Sequence, residues 1–153
     1  SYTLPKDAWS ETIMKRYLLR IADKVAWRLR RDGLLARRIS AYVRHGDFSG
    51  AGQQRKFSEA ISDGLTIYKI AWKLIQEKRD IDKPVRLVGI SASDLRTGAQ
   101  QPSIFKKDRN MQSTLFALDK VQTRYGSNSW TRASLIKTKL KARSSGFHFD
   151  HEV

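Results

Sequence analysis

The hydrophobic pattern of this chain changes its period abruptly around Gly33. Over residues 8–31 the apolar side chains recur at helical spacing, and basic residues fill the other faces. Over residues 37–44 the period becomes two, and Ile39, Ala41 and Val43 form one face. The intervening positions are Arg38, Ser40, Tyr42 and Arg44. The pattern therefore predicts a helix followed by a half-buried strand with a basic outer face.

The same periodicities extend over residues 1–95. Residues 1–4 are typical of a short strand ended by Pro5, and residues 54–61 of a partner strand after a glycine-rich connection at 46–53. A second helix is predicted from Ser62 and Asp63 to about Lys78, and a last strand over 85–92. This βαββαβ order predicts an α+β fold, a four-stranded sheet with two helices on one face. The other face is then free to meet a partner.

Residues 96–153 are predicted to lie outside this domain. A polar linker is expected at 96–110, followed by a C-terminal extension at 111–153. The extension contains an amphipathic helix over 115–125 and a basic segment over 131–143. We expect it to be partly helical.

Charge limits the kinds of partner. The chain has 30 basic and 15 acidic residues, a net charge of +15 that is spread over its whole length. An excess of this size indicates a polyanionic partner, most simply a phosphate backbone. There is no cysteine and no apolar run of membrane-spanning length, so we expect no disulfide framework, no Cys-ligated metal and no membrane partner. With no secretory leader at its start, the protein is expected to be cytoplasmic.

No catalytic constellation emerges. Asp80 and Asp82 have the spacing of a metal-binding pair, but basic neighbours and a loop context favour a solvated turn. His148, Asp150 and His151 near the C-terminus favour a chance cluster over a metal site. We therefore predict no catalytic residue, no metal site and no cofactor in this chain.

Several segments together resemble one known domain. They are 1–5 (SYTLP), 25–30 (VAWRLR), 43–48 (VRHGDF) and 84–95 (PVRLVGISASDL). In order and spacing they resemble the little-finger domain of bacterial Y-family, DinB/UmuC-like (ImpB/MucB/SamB) translesion DNA polymerases. The resemblance implies a domain that grips primer–template duplex DNA without performing catalysis. It implies DNA contacts at Arg44 and Arg55, and the basic strand residues Arg38, Lys56 and Arg86 complete the predicted DNA-binding set.

A second resemblance lies in residues 112–116 (QSTLF), which are similar to the pentapeptide that docks bacterial polymerases on the β sliding clamp. Gln112 would fill a polar subsite, while Leu115 and Phe116 would enter an apolar cleft. The alternative is structural. Leu115, Leu118, Val121 or Gln122, and Tyr125 also form a helical stripe, and in this alternative both Leu115 and Phe116 pack inside the protein.

The expected function is thus the DNA-binding and clamp-docking part of a nucleoid-associated polymerase acting in DNA damage bypass and the SOS response. The parent would be a DNA-directed DNA polymerase, with palm, fingers and thumb domains elsewhere and magnesium held by palm carboxylates. The alternative is a freestanding basic RNA- or ribosome-binding module. Residues 54–58 lack the aromatic and glycine pattern with which RNA-recognition domains stack bases, so backbone contacts fit better than base stacking.

Overall fold

A computed structural model describes residues 1–80, 82–98, 106–126, 129–136 and 138 of the chain. The elements, in order, are β1 (Tyr2–Ala8), α1 (Glu11–Arg31), β2 (Leu34–His45), β3 (Gly50–Ile61), α2 (Gly64–Gln76), β4 (Val85–Thr97), α3 (Lys106–Tyr125) and a short 3-10 turn (Ala133–Leu135). The four strands form one antiparallel sheet in the order β1-β4-β2-β3. The predicted α+β fold is confirmed.

The centre of the sheet is the long pairing of β2 with β4, which runs from Leu34 opposite Thr97 to His45 opposite Val85. Ile39, Ala41 and Val43 are buried on the face that α1 and α2 cover, as the alternation predicts. The hairpin from β2 to β3 turns over only residues 46–49, so β3 begins earlier than the predicted residue 54. β3 is last in the strand order and pairs with β2 alone, so it is an edge strand.

The two helices pack on each other and on one face of the sheet. Each contributes an apolar stripe at helical spacing: Met14, Leu18, Ile21, Ala22, Ala26 and Leu29 from α1, and Ile67, Ala71, Leu74 and Ile75 from α2. The Asp63 carboxylate accepts a 2.7 Å hydrogen bond from the Thr66 amide, the N-cap that the sequence indicated. Gly33, at φ +63°, takes the left-handed conformation that ends α1.

Two strand boundaries differ from prediction. β1 continues past Pro5 to Ala8, because it lies at the sheet edge and its register shifts between Thr3 and Ala8. An edge strand tolerates a proline that a central strand would not. β4 continues to Thr97 by pairing with the start of β2.

The helix near the C-terminus is longer than the predicted 115–125. Helix α3 begins at Lys106, inside the predicted linker, of which residues 99–105 lie outside the described part. Leu115 and Leu135 are buried but lie outside the main core cluster. Arg132 Nε and Nη2 donate to the two carboxylate oxygens of Asp23 on α1, at 2.8 and 2.9 Å. This hydrogen-bonded carboxylate raises the pKa of the Arg132 guanidinium. The tail around His148 lies outside the described residues.

No helix among the described residues is long and apolar enough to cross a membrane. No group of three or more His, Cys, Asp or Glu side chains in the same part of the chain is arranged to hold a metal ion.

Candidate nucleic-acid interface

The sheet face away from α1 and α2 is the candidate interface, and we call it the open face. On β2 it is formed by Arg38, Ser40, Tyr42 and Arg44, which alternate with the buried residues. Their partners on the flanking strands share this face: Ser93, Ser91, Gly89 and Leu87 of β4, and Lys56, Gln54, Gly52 and Gly50 of β3. The surface is therefore basic at its ends and small or polar at its centre.

Arg38 and Arg44 mark the two ends of the open face. They are six residues apart on one strand, which corresponds to about 20 Å. Neither makes an ion pair or a side-chain hydrogen bond with the residues that the structure describes. Arg38 also lies directly opposite Lys56, and like charges in that position repel. Both features leave positive charge available to an external anion.

Lys56 is partly neutralised from within the chain. Its ammonium lies 3.0 Å from an Asp94 carboxylate oxygen, and Arg96 approaches the same carboxylate at 3.7 Å. The hydrogen bond from Lys56 lowers the pKa of Asp94 below its ordinary value. Asp94 has φ +52°, an uncommon conformation for a non-glycine residue.

At the centre of the open face, one aromatic ring lies among glycines. Tyr42 lies opposite Gly52 on β3 and Gly89 on β4, and its ring covers the Gly89 backbone. The β4 neighbour Ser91 has a short polar side chain. Glycines inside strands permit close approach to the backbone.

Arg86 lies at the hairpin end of the sheet. Its guanidinium is 5.6 Å from the centre of the exposed Phe48 ring and 4.0 Å from an Asp7 carboxylate oxygen. The hairpin tip is fixed by Asp47, whose carboxylate accepts hydrogen bonds from Lys83 at 2.7 Å and from the Ser49 amide at 2.9 Å. The Lys83 and Ser49 donors lower the pKa of Asp47 well below its ordinary value.

Arg55 requires a correction. It is paired with the buried Ile39, so it lies on the helix side of the sheet and not on the open face. Its guanidinium instead contacts both carboxylate oxygens of Glu77, just after α2, at 3.1 and 3.2 Å. Phe57, two residues further on, packs against the core on the same side. The sequence already contained this information: residues two apart on a strand share a face, so Arg55 shares the inward face of Phe57, whereas Lys56 points to the opposite face.

The predicted clamp-binding residues lie in α3. Leu115 is 8% exposed, whereas the adjacent Phe116 is 62% exposed and carries the Lys120 ammonium 4.6 Å from its ring centre. Gln112, one turn before Phe116, is half-buried. Leu115 is therefore packed inside, as the helical-stripe alternative predicts, whereas Phe116 faces outward.

The family model for the impB/mucB/samB family C-terminal domain matches residues 1–104. The chain belongs to this family. Among curated relatives, DNA polymerase IV of Pelotomaculum thermopropionicum is 28% identical over 150 residues, covering 97% of this chain and 37% of that polymerase. The impB/mucB/samB chain therefore spans little more than a third of the length of this relative.

Solved structures share the fold of the impB/mucB/samB domain. DinB from Sulfolobus solfataricus superimposes with a TM-score of 0.55 at 21% identity, covering 63% of this chain and 28% of that one. The little-finger domain of PolIV, solved in complex with the β-clamp processivity factor, gives 0.52 at 17% identity over 68% of this chain and 93% of that one. The recognition of a Y-family little-finger domain from the sequence is confirmed.

Sequence reasoning named the cations of this domain and missed its centre. Tyr42, Gly52, Gly89 and Ser91 are absent from the predicted site because none is basic. The sequence pointed to this centre through Gly52 and Gly89, because a glycine inside a strand often marks a place where another group approaches the backbone closely. The assignment of Arg38, Arg44, Lys56 and Arg86 to DNA contacts stays a prediction.

Proposed function

We propose that this domain grips primer–template duplex DNA through its open face, on behalf of a bacterial lesion-bypass DNA polymerase. The observation that carries the proposal is the pair Arg38 and Arg44, which lie at the two ends of the open face and make no ion pair or side-chain hydrogen bond with the described residues. About 20 Å separates them along β2, and the major groove is about 12 Å wide. Each guanidinium can therefore contact one of the two phosphate strands that border the groove. Around Tyr42, the short side chains of Ser40 and Ser91 and the bare backbone of Gly52 let the duplex approach the sheet.

Such contacts confer little sequence preference, because phosphates are the same at every step. They also make binding depend on salt. If six phosphates are neutralised, the slope of log K against log salt is about −5, at roughly −0.9 per phosphate.

The test is a salt titration of duplex binding with three single variants. Arg38→Ala and Arg44→Ala should each flatten the slope by about one unit. Arg55→Ala is the matched control: it removes the same charge from the helix side of the sheet, and should leave the slope unchanged. Equal effects from all three would show that only net charge matters. A slope near zero, or tighter binding to structured RNA, would favour the alternative RNA- or ribosome-binding module.

Docking on a bacterial β sliding clamp is the second proposed activity. It is supported by the exposed Phe116 within residues 112–116 and by the likeness to a little-finger domain solved with a clamp. A peptide of residues 111–117 should bind a β clamp with an affinity on the order of micromolar, about −8 kcal/mol. Replacing Leu115 and Phe116 together by alanine should abolish this binding, because burying each of these side chains contributes roughly 1.5–3 kcal/mol to the binding free energy.

In this proposal the chain is part of a polymerase about as long as its curated relatives. The rest of that polymerase carries out the catalytic chemistry. Palm carboxylates would hold magnesium there, and fingers and thumb domains would complete the enzyme. In this proposal the whole protein is cytoplasmic, associates with the nucleoid and acts in the response to DNA damage. This domain contributes duplex binding and recruitment.

A further inference from the structure

Two adjacent residues of the clamp-binding segment are in opposite environments. Leu115 is 8% exposed and Phe116 is 62% exposed, because neighbouring residues on a helix are about 100° apart around its axis. A peptide cleft that takes both side chains needs them released from this arrangement. While α3 stays in place, Phe116 is accessible and Leu115 is not.

Among the described residues, an ion pair between Arg30 and Asp119 joins helix α3 to α1. Arg30 Nε and Nη2 donate to the two carboxylate oxygens of Asp119 at 2.6 and 2.8 Å. The Arg30 and Asp119 side chains are only 17% and 18% exposed, so water competes weakly for this pair. The third nitrogen, Nη1, donates to the Ser62 carbonyl oxygen at 2.7 Å. One arginine thus connects α3, α1 and the loop before α2.

A second anchor follows α3 in the chain. Arg132 forms its two hydrogen bonds with Asp23, and Arg20 of α1 also donates to the Thr131 hydroxyl. Leu135, just beyond, is 1% exposed. The chain is therefore held to α1 both within α3 and after it, and Leu115 lies before both anchors.

We propose that this anchored helix is a latch that withholds Leu115 from the clamp. Clamp docking then requires α3 to detach from α1, and the apparent affinity is the intrinsic affinity reduced by the detached fraction. The inference rests on the clamp docking proposed above and adds its regulation. The Arg30–Asp119 pair sets the detached fraction.

The test measures binding to the β clamp of Pelotomaculum thermopropionicum. The probes are the free 111–117 peptide, the full chain, Asp119→Asn and Glu77→Gln. Glu77→Gln is the matched control, because it also turns an arginine-paired carboxylate into an amide and changes the net charge equally, but away from α3. The peptide should bind the clamp at least about fivefold more tightly than the full wild-type chain does. The full-length Asp119→Asn variant should bind at least about threefold more tightly than the wild-type chain. Glu77→Gln should show no such gain.

Each other outcome has a distinct meaning. A peptide that fails to bind overturns clamp docking itself. A peptide that binds no more tightly than the full chain overturns the latch and leaves docking intact. Equal affinities of Asp119→Asn and Glu77→Gln also overturn it.

Hydrogen exchange supplies an independent readout. In Asp119→Asn, the amides of residues 110–125 should exchange faster than in the wild type, while those of β2 and β4 keep their protection. Saturating clamp should produce the same pattern in the wild-type chain. Unchanged protection of α3 in the clamp-bound chain would contradict the proposal.

Discussion

The Tyr42 ring lies across the backbone of Gly89, its cross-strand partner, and a Cβ at position 89 would overlap that ring. The Gly89→Ala variant must displace the ring from the open face. We expect it to lower the free energy of unfolding by about 1–2 kcal/mol, as overpacking does. In a Tyr42→Ala background the same change should be neutral or stabilising, because the ring is absent and alanine suits a strand better than glycine. Urea unfolding of the four proteins measures this coupling, and additive effects would contradict it.

Leu115 and Phe116 should differ in their effect on stability. Leu115→Ala removes a buried side chain, so it should destabilise the packing of α3 by about 2 kcal/mol. Phe116→Ala removes an exposed ring and should cost less than about 0.5 kcal/mol. Hydrogen exchange of α3, measured beside the thermal midpoint of the chain, distinguishes a local effect from a global one. A larger loss for Phe116→Ala would show that the two side chains are assigned the wrong way round.

Stability should fall in acid. Lys83 and Ser49 lower the pKa of Asp47 in the folded chain, and Lys56 lowers that of Asp94. A lowered folded pKa contributes stability that is present above the unfolded pKa of about 3.9 and is lost as pH falls through the folded pKa. The thermal midpoint should therefore decrease progressively below about pH 5.

Asp47→Asn tests that origin directly. It should lower the midpoint at pH 6 and have a smaller effect at pH 3, because below about pH 3.9 the unfolded chain binds a proton at this carboxylate and the stability from the lowered folded pKa is partly lost. Asp82→Asn, an exposed carboxylate change, is the control. Parallel pH curves for Asp47→Asn and the wild type would contradict the role of Asp47.

The chain alone should not extend a primer with magnesium and all four nucleotides. Phosphoryl transfer needs metal ions held by juxtaposed carboxylates, and no such group of side chains is present among the described residues. Primer-extension assays at high protein concentration provide the measurement. Activity that disappears on Asp80→Asn with Asp82→Asn would show that this pair does hold a metal.

The order of helices and strands over residues 1–95 and the two sides of the central strand were predictable from local patterns in the chain. The alternation of Ile39, Ala41 and Val43 with polar residues identified both faces of β2, because a strand has a fixed period of two. The helical spacing of the apolar residues identified the core side of α1 and α2, and Asp63 indicated the start of α2. These features depend on residues close together in the chain.

How the elements combine depends on pairings between residues far apart in the chain. The short turn over residues 46–49 sets the register of the hairpin, and this register places Lys56 directly opposite Arg38. The order β1-β4-β2-β3 makes β3 an edge, which a period of two cannot indicate. The burial of Leu115 accompanies the anchoring of α3 by Asp119 to Arg30, a residue 89 positions away. Periodicity specifies which side of an element is apolar, whereas pairings between distant residues arise only when the chain is folded.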